Sequence, residues 1–150
     1  MPFYLIYTSQ PRAEMTPEML TEIAKSSARN NKKRQITGML LCIENKYLQY
    51  LEGDEKNVLE LFEKIKLDGR HHGITKWIQG NADKRIFGDW SMASWMLSKD
   101  ELESLPVLRE MNDFLSKSTK PQASAGKFIE MMRNILDNWI AHHQAKTDPS

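Results

Sequence analysis

The chain has 150 residues, which suits one domain of ordinary size with a small appendage. Its 40% hydrophobic content, 27% charged content and net charge of +1 are typical of a soluble globular protein and favour neither nucleic acid nor an anionic membrane as a partner. The single cysteine, Cys42, excludes an intrachain disulfide, and no apolar run approaches the roughly 20 residues of a membrane span. No basic-then-apolar leader opens the chain, so we expect a cytoplasmic protein.

The chain opens with a strand followed by a helix. Residues 3–8 are aromatic and β-branched, which predicts a strand with Phe3, Leu5 and Tyr7 on one face. Thr16 and Pro17 supply an N-cap hydroxyl and a first-turn proline, so a helix begins there and ends in the basic run 30–34. Small and apolar residues repeat on one face of this helix at positions 20, 23, 24 and 27, and Asn31 falls near the end of that face.

A hairpin and a second helix come next. Residues 35–53 form two apolar, β-prone runs around a polar tip at 44–46, which predicts a β-hairpin. Its second arm carries Gln49 where a sheet face should be buried, and a buried amide requires hydrogen-bond partners from the core or from a ligand. Asp54 is placed to cap a helix whose apolar positions are 58, 61, 62 and 65 and which ends near 68–69.

The remaining chain completes a sheet and adds helices. Residues 74–79 and 85–95 predict a fourth and a fifth strand, with Trp90 and Met92 on one face of the fifth. The order βαββαββ predicts an α+β, ferredoxin-like mixed sheet of five strands with two helices on one face. Residues 102–115 and 125–140 predict a C-terminal extension of two helices joined by a connector at 117–123, packed on this sheet or on a partner chain. We expect a division at 1–97 and 98–150.

This topology predicts one candidate ligand site on the helix-facing side of the sheet. Tyr7 and Gln49 meet there if the first strand lies beside the hairpin, and Asn31 lies above the same place. Ile23 and Ile65 point into the gap between the helices, so the slot has apolar walls and a rim of amides and a phenol. Such a slot suits a flat heteroaromatic ligand with polar edges. The alternative is an ordinary core whose tyrosine and amides bond to nearby backbone.

Other chemistry is weakly supported. The adjacent histidines at 71–72 point to different faces of a strand and lack a partner at ligand spacing, so we expect no metal site. The basic run 32–34 is typical of an exposed loop, although it could meet a phosphate tail of a cofactor.

Five segments, taken in order, resemble the BLUF family of blue-light sensors that use FAD. They are Leu5-Ile6-Tyr7-Thr8-Ser9, then Asn30-Asn31 with Ile36-Thr37-Gly38, Gln49-Tyr50-Leu51-Glu52-Gly53, Asp68-Gly69-Arg70-His71, and Arg85-Ile86-Phe87 with Trp90-Ser91-Met92. Each segment alone is weak, but their order and spacing across the first 95 residues are specific. The resemblance implies a short, single-domain, bacterial photoreceptor that binds FAD non-covalently and is not an enzyme.

The resemblance also implies roles for individual residues. Tyr7 would donate an electron and a proton to the excited flavin, and Gln49 would bridge Tyr7 and the flavin, so that its rearranged hydrogen bonds give a reversible, red-shifted signalling state. Trp90 and Met92 would occupy the strand that couples the pocket to the output surface, with one of the two facing the flavin. The remaining cofactor-binding residues would be Ile23, Asn30, Asn31, Lys64, Ile65, Asp68, Arg70 and His71.

The output implied by the resemblance is a signal to a downstream partner protein, from a chain that forms a homo-oligomer. Two other functions remain open for this fold. The first is an acylphosphatase-like hydrolase, for which Arg12 follows the first strand, although the loop lacks glycines to cradle a phosphate. The second is a light-independent ferredoxin-like interaction module.

Overall fold

The computed structural model describes residues 1–117 and 125–147, with side chains at 1–114 and 126–142. It divides into two compact units, Met1–Ser98 and Lys99–Ser150. Most of the predicted connector at 117–123 lies outside the described residues.

The first unit is built on a mixed sheet of five strands. They are β1 (Phe3–Pro11), β2 (Thr37–Ile43), β3 (Lys46–Gly53), β4 (His71–Asn81) and β5 (Ala93–Met96). Their order across the sheet is β4-β1-β3-β2-β5, in which β5 runs parallel to β2 and the other pairs are antiparallel. The predicted ferredoxin-like α+β fold is therefore confirmed, and β1 does lie beside the second arm of the hairpin.

Two helices, α1 (Pro17–Lys33) and α2 (Glu55–Lys66), pack on one face of this sheet. The Thr16 side chain caps α1 by accepting from the amide of Met19 at 3.2 Å, as its position before Pro17 predicts. Asp54 occupies the N-cap position of α2 but makes no side-chain capping bond. The shared core includes alternate residues of the strands, since Leu5, Leu40 and Leu51 are all buried between sheet and helices.

The hairpin turn and one bulge place residues around the cavity described below. Glu44 and Asn45 both have positive φ and form the two-residue turn between β2 and β3, as type I′ geometry requires. In β4, one extra residue lies opposite the segment between Thr8 and Gln10, and Gly73 adopts φ +65° there. This bulge bends the start of β4 just after His71, which lies on the sheet face covered by the helices.

The predicted fifth strand is wrong over most of its length. Residues 82–92, here named the β4–β5 connector, form bends and a turn, and β5 begins only at Ala93. The amides of Ile86 and Phe87 bond to the carboxylate of Glu52, and the amide of Trp90 bonds to the carbonyl of Phe87. Because these groups are engaged outside a ladder, Trp90 and Met92 do not share the face of a strand.

Within its described residues, 99–117 and 125–147, the second unit contains three helices rather than two. They are α3 (Lys99–Ser104), α4 (Pro106–Lys117) and α5 (Ala125–Thr147). The break between α3 and α4 falls before Pro106, since a proline disfavours helical backbone in the preceding residue. No helix among the described residues has the length and apolar character needed to cross a membrane.

Candidate functional site

A cavity of about 670 Å³ lies between the sheet and helices α1 and α2. This volume is within the usual range for small-molecule and cofactor sites, roughly 300–1,000 Å³. All ten residues predicted to bind the cofactor line it: Tyr7, Ile23, Asn30, Asn31, Gln49, Lys64, Ile65, Asp68, Arg70 and His71. The residues come from β1, β3, both helices, the segment before β4 and the first residue of β4, so only the folded chain brings them together.

Tyr7 and Gln49 are the buried polar pair at the base of this cavity. They face each other across the antiparallel β1–β3 ladder, and the Tyr7 hydroxyl donates to Oε1 of Gln49. Burial raises the pKa of Tyr7, so the phenol stays protonated across the physiological range. Nε2 of Gln49 lies 3.6 Å from the sulfur of Met92, a weak acceptor. The amide thus has a strong partner on one side and a weak one on the other.

Asn31 occupies the end of α1 above this pair. Its side chain is 2% exposed, and Nδ2 donates to the backbone carbonyl of Ser91 at 3.0 Å. Among the described residues, its Oδ1 has no hydrogen-bond partner. This oxygen is not among the fully buried unpartnered atoms, so it is open to the cavity and available to a ligand donor. Asn30 also lines the cavity, but its side chain is exposed.

The side walls of the cavity are apolar. Ile23 of α1 and Ile65 of α2 are both half-buried and line the two helix sides of the slot. Leu40 of β2 lines the sheet side. Two aliphatic walls facing each other across a gap offer dispersion contacts to both faces of a planar ring.

The rim carries an ordered ion pair. The Arg70 guanidinium donates from Nε and Nη2 to the Asp68 carboxylate, with the shortest bond at 2.6 Å. These bonds lower the pKa of Asp68 to about 2, and the same carboxylate raises the pKa of Arg70. Lys64 lies exposed on the same rim. Asp68 therefore holds the cationic Arg70 in one position at the mouth of the cavity.

His71 is buried, and its hydrogen bonds define its tautomer. Nε2 lies 2.8 Å from the carbonyl of Ile65, which can only accept, so Nε2 carries the proton. Nδ1 then accepts from the Ser9 hydroxyl at 2.7 Å. Both ring nitrogens are used within the protein, so His71 offers the cavity its ring face. No group of three His, Cys, Asp or Glu side chains that could hold a metal ion occurs in the described part of the chain.

Nine further residues line the cavity and were not predicted as cofactor-binding: Ser26, Ser27, Lys33, Arg34, Leu40, Tyr47, Asn57, Glu60 and Leu61. The small face of α1 and the basic run at its end were visible in the sequence and signalled Ser27, Lys33 and Arg34. Tyr47 is a second phenol, buried and donating to the Met15 sulfur at 2.9 Å. Its position follows from the alternation of β3, since it lies two residues before Gln49 and on the same face.

Trp90 and Met92 occupy different environments in the β4–β5 connector. Met92 is 9% exposed and belongs to the core between sheet and helices, with its sulfur against Gln49. Trp90 is half-buried, and its backbone carbonyl accepts from the amide of Gly38 at 3.2 Å. The Met92 side chain is therefore in contact with the Tyr7–Gln49 pair.

Comparison with known proteins decides the family. A family model described as BLUF, sensors of blue-light using FAD, matches residues 3–93. The chain belongs to the BLUF family. The matched segment comprises nearly all of the first unit and contains every residue discussed at the cavity.

Relatives of this BLUF chain include parts of larger proteins. It is 30% identical over 115 residues to the photoactivated adenylate cyclase subunit beta of Euglena gracilis, covering 76% of this chain and 13% of the relative. It is 30% identical over 101 residues to the blue light- and temperature-regulated antirepressor BluF of Escherichia coli (strain K12), covering 67% of this chain and 25% of the relative. The chain thus spans about a quarter or less of these curated relatives.

A solved structure of similar size also matches. BlrB, a BLUF protein in its dark state, superposes with a TM-score of 0.70 at 26% identity and covers 90% of this chain and 94% of that one. The likeness confirms the fold of the BLUF domain together with its helical extension.

The polar and apolar residues that line the BLUF cavity match the polar edge and the flat faces of a flavin. The ring system of a flavin is flat and carries carbonyls and ring nitrogens along one edge. Gln49 and Asn31 present amide groups at one end of the slot, including the unpartnered Oδ1 of Asn31. The aliphatic walls at Ile23 and Ile65 suit the ring faces. BLUF domains use flavin, and the residues of this cavity suit that group.

Proposed function

We propose that this protein is a blue-light photoreceptor that binds FAD non-covalently in the cavity between α1, α2 and the sheet. The observation that carries this proposal is the Tyr7–Gln49 hydrogen bond, buried at the base of the cavity in a BLUF domain. Ile23 and Ile65 would enclose the ring, and Gln49 and Asn31 would hold its polar edge. Asn30, Lys64, Asp68, Arg70 and His71 would line the remaining edge and the ribityl side.

The charge of the rim supports FAD. Four cationic side chains line the cavity, from Lys33, Arg34, Lys64 and Arg70, against the carboxylates of Glu60 and Asp68. Such an excess of cations suits a phosphate-bearing tail. The description of the matching family names FAD as the flavin. Release of the cofactor by heat, followed by chromatography against FAD and FMN standards, tests this choice.

When bound, the flavin supplies absorption of blue light and, once excited, a strong oxidant. Tyr7 would be the donor because it is a phenol held protonated by burial and hydrogen-bonded to an amide that can relay its proton. Gln49 would retain the effect of this electron and proton transfer as a rearranged set of hydrogen bonds. Its amide has one strong and one weak partner, so a half-turn that exchanges Oε1 and Nε2 gives a second hydrogen-bonded arrangement.

The signal would leave the cavity through Met92 and the β4–β5 connector. Met92 touches the Gln49 amide, so a turned amide changes the contact at its sulfur. We propose residues 1–97 as the sensor and 98–150 as the output or oligomerisation element of a cytoplasmic homo-oligomer that relays to a partner protein. In this proposal the domain senses light and is not itself an enzyme.

A hydrolase of the acylphosphatase type has less support. Its anion loop would use Arg12, which follows β1, but Arg12 is exposed and is not among the residues that line the cavity. Its backbone amide bonds to the carbonyl of Arg70 at 3.1 Å and so is not available to a phosphate. An interaction module without a ligand would leave unexplained a cavity of about 670 Å³ with the Tyr7–Gln49 pair at its base.

Absorption spectroscopy of the purified full chain tests the proposal. We expect a yellow protein whose flavin band moves reversibly to longer wavelength under blue light. A preparation that stays colourless after incubation with FAD would leave the interaction module as the better account.

A further inference from the structure

The β4–β5 connector is attached at both ends to the elements that form the cavity. At its far end, the carbonyl of Trp90 accepts from Gly38 of β2, the carbonyl of Ser91 accepts from Asn31 of α1, and Met92 touches Gln49. At its near end, the amides of Ile86 and Phe87 are held by one side chain of β3, Glu52. These hydrogen bonds thus tie a segment without regular structure to the rest of the unit at both of its ends.

Glu52 is a carboxylate with almost no contact with solvent. It is 1% exposed, and Oε1 accepts from the amide of Ile86 at 2.8 Å. Oε2 accepts from the amide of Phe87 at 2.6 Å and from the Thr37 hydroxyl at 2.8 Å. Hydrogen bonds to a charged acceptor are among the stronger ones in proteins, so these two amides are held firmly.

A cation supports this carboxylate through Thr37. Nη1 of Arg85 donates to the Thr37 hydroxyl at 3.1 Å, and Nη2 donates to the carbonyl of Gln35 at 2.8 Å. The hydroxyl therefore receives from Arg85 and gives to Glu52, which orients both groups. Arg85 belongs to the connector itself, so three consecutive connector residues, 85–87, are tied to the start of β2 and the end of β3.

Glu52 lies outside the cavity but close to its switching residue in sequence. It follows Gln49 by three positions in β3, so the two side chains point to opposite faces of the sheet, and Glu52 is not among the cavity-lining residues. Phe87 is fully buried, and its ring packs 5.3 Å from that of Tyr50 on the face opposite the cavity. Only four residues separate Phe87 from Met92, so the near end strongly limits where Met92 can lie.

We propose that Glu52 is a positioning residue of the photocycle. It anchors the near end of the connector so that the sulfur of Met92 lies against Nε2 of Gln49, which favours the amide orientation seen here. After a half-turn of the amide, Oε1 would face the sulfur, and two acceptors would oppose each other. The anchored connector therefore drives the return to the dark state, and a released connector lets Met92 move away and slows that return. The photocycle part of this inference rests on the proposed function.

Two variants in the full chain test the role. Glu52→Gln keeps the size of the side chain but replaces one acceptor oxygen by a donor, which opposes the amide of either residue 86 or residue 87. Thr37→Val keeps the β-branched shape and removes only the hydroxyl, so it tests the same anchor if Glu52→Gln does not fold. Thr8→Val is the matched control, because it removes a buried hydrogen bond of the same sheet, from Trp77 at 2.8 Å, between two residues that lie outside the connector.

Two measurements distinguish a role of Glu52 in positioning Met92 from a role in stabilising the fold alone. The first is the methyl resonance of Met92 in protein labelled with ¹³C-methyl methionine, recorded in the dark without flavin and assigned with Met92→Leu. We expect it to shift in Glu52→Gln and Thr37→Val but not in Thr8→Val. The second is the rate of dark recovery, which we expect to slow roughly three- to tenfold in both anchor variants. A change of this size corresponds to a loss of about one net hydrogen bond in the free-energy preference for the dark-state amide orientation. Flavin affinity should stay unchanged.

The outcomes distinguish this inference from the proposed function. An unchanged Met92 resonance in both anchor variants overturns the anchoring role, whether or not the protein binds flavin. A shifted resonance with recovery within twofold of the parent protein overturns the link to the photocycle. A chain that binds no flavin but shows the resonance shift contradicts the proposed function and leaves the anchor intact.

Discussion

Tyr7 and Gln49, 42 residues apart in sequence, are direct partners in the β1–β3 ladder, and the phenol donates to the amide at the base of a cavity. The antiparallel register dictates this pairing, since the two side chains project from opposed positions on the same face. The phenol and the amide thus lie together on two central strands, β1 and β3, each of which has a hydrogen-bonded strand on both sides.

Tyr7→Phe should keep flavin but lose the reversible red shift, because the ring remains in the wall while the transferable electron and proton of the phenol are removed. The protein should also lose about 1–3 kcal/mol of stability, since the buried Oε1 of Gln49 loses its donor. The checks are the light-minus-dark difference spectrum and urea unfolding. Tyr4→Phe is the control in the same strand, since Tyr4 does not line the cavity; an intact shift in Tyr7→Phe would refute the donor role.

Gln49→Leu should also bind flavin without a normal photocycle. Leucine keeps an apolar side chain at this position but has neither hydrogen-bonding group, so the amide that would change partners is missing. The same variant leaves the Tyr7 hydroxyl without its acceptor, which should alter the fluorescence of bound flavin. Time-resolved fluorescence and absorption after a blue pulse provide the measurement. A red-shifted product of ordinary size in this variant would assign the switch to another side chain.

Gly38 should tolerate no side chain. A Cβ at this position would overlap the backbone carbonyl oxygen of Tyr50, across the β2–β3 pair. Gly38→Ala should therefore destabilise the chain by about 3 kcal/mol or more, because neither strand can move without breaking the ladder. Gly69→Ala is the matched control, since a Cβ there meets nothing within 4 Å. Equal unfolding midpoints for the two variants would contradict this packing.

The Asp68–Arg70 pair predicts a defined pH dependence. The pKa of Asp68 is lowered from 3.8 to about 2, chiefly by its hydrogen bond to Arg70. A depressed carboxyl pKa contributes stability above the unfolded value, and this stability is lost as the pH falls through 3.8 towards 2. In Arg70→Gln, the pKa of Asp68 should rise towards 3.8, and the stability difference from the parent protein should vanish at the lowest pH.

The carboxyl ¹³C resonance of Asp68, followed from pH 6 to pH 1.5 in both proteins, measures the shift directly. The partly exposed Asp68 is screened by solvent, so the effect on unfolding should be small compared with the shift itself. The same Asp68 pKa in both proteins would show that Arg70 does not hold the carboxylate.

The sheet, its two helices and the cavity were predictable from sequence because each rests on a local pattern. Thr16-Pro17 marked the start of α1, the polar tip at 44–46 marked the hairpin, and the apolar period of α2 marked its buried face. The placement of Tyr7, Asn31 and Gln49 at one cavity then followed from the topology and from the family resemblance.

The β4–β5 connector and the division of the C-terminal helices were not predicted correctly. The apolar residues in 85–95 predicted a strand, but the amides of residues 86 and 87 bond to the carboxylate of Glu52, 34 and 35 positions away. A local sequence pattern contains no information about such a long-range hydrogen bond. Pro106 was a readable signal for the break between α3 and α4, but the apolar period of residues 102–115 outweighed it. The burial of Met92 depends on the connector and was equally unavailable from sequence.

The most direct test of the account is the absorption spectrum of the full chain, reconstituted with FAD, before blue illumination, immediately after it, and during recovery in the dark. We predict a flavin band that shifts to longer wavelength in the light and returns fully in the dark. A protein that binds FAD in this cavity but shows only irreversible bleaching or no spectral change would contradict the assignment of Tyr7 and Gln49 as a photochemical switch.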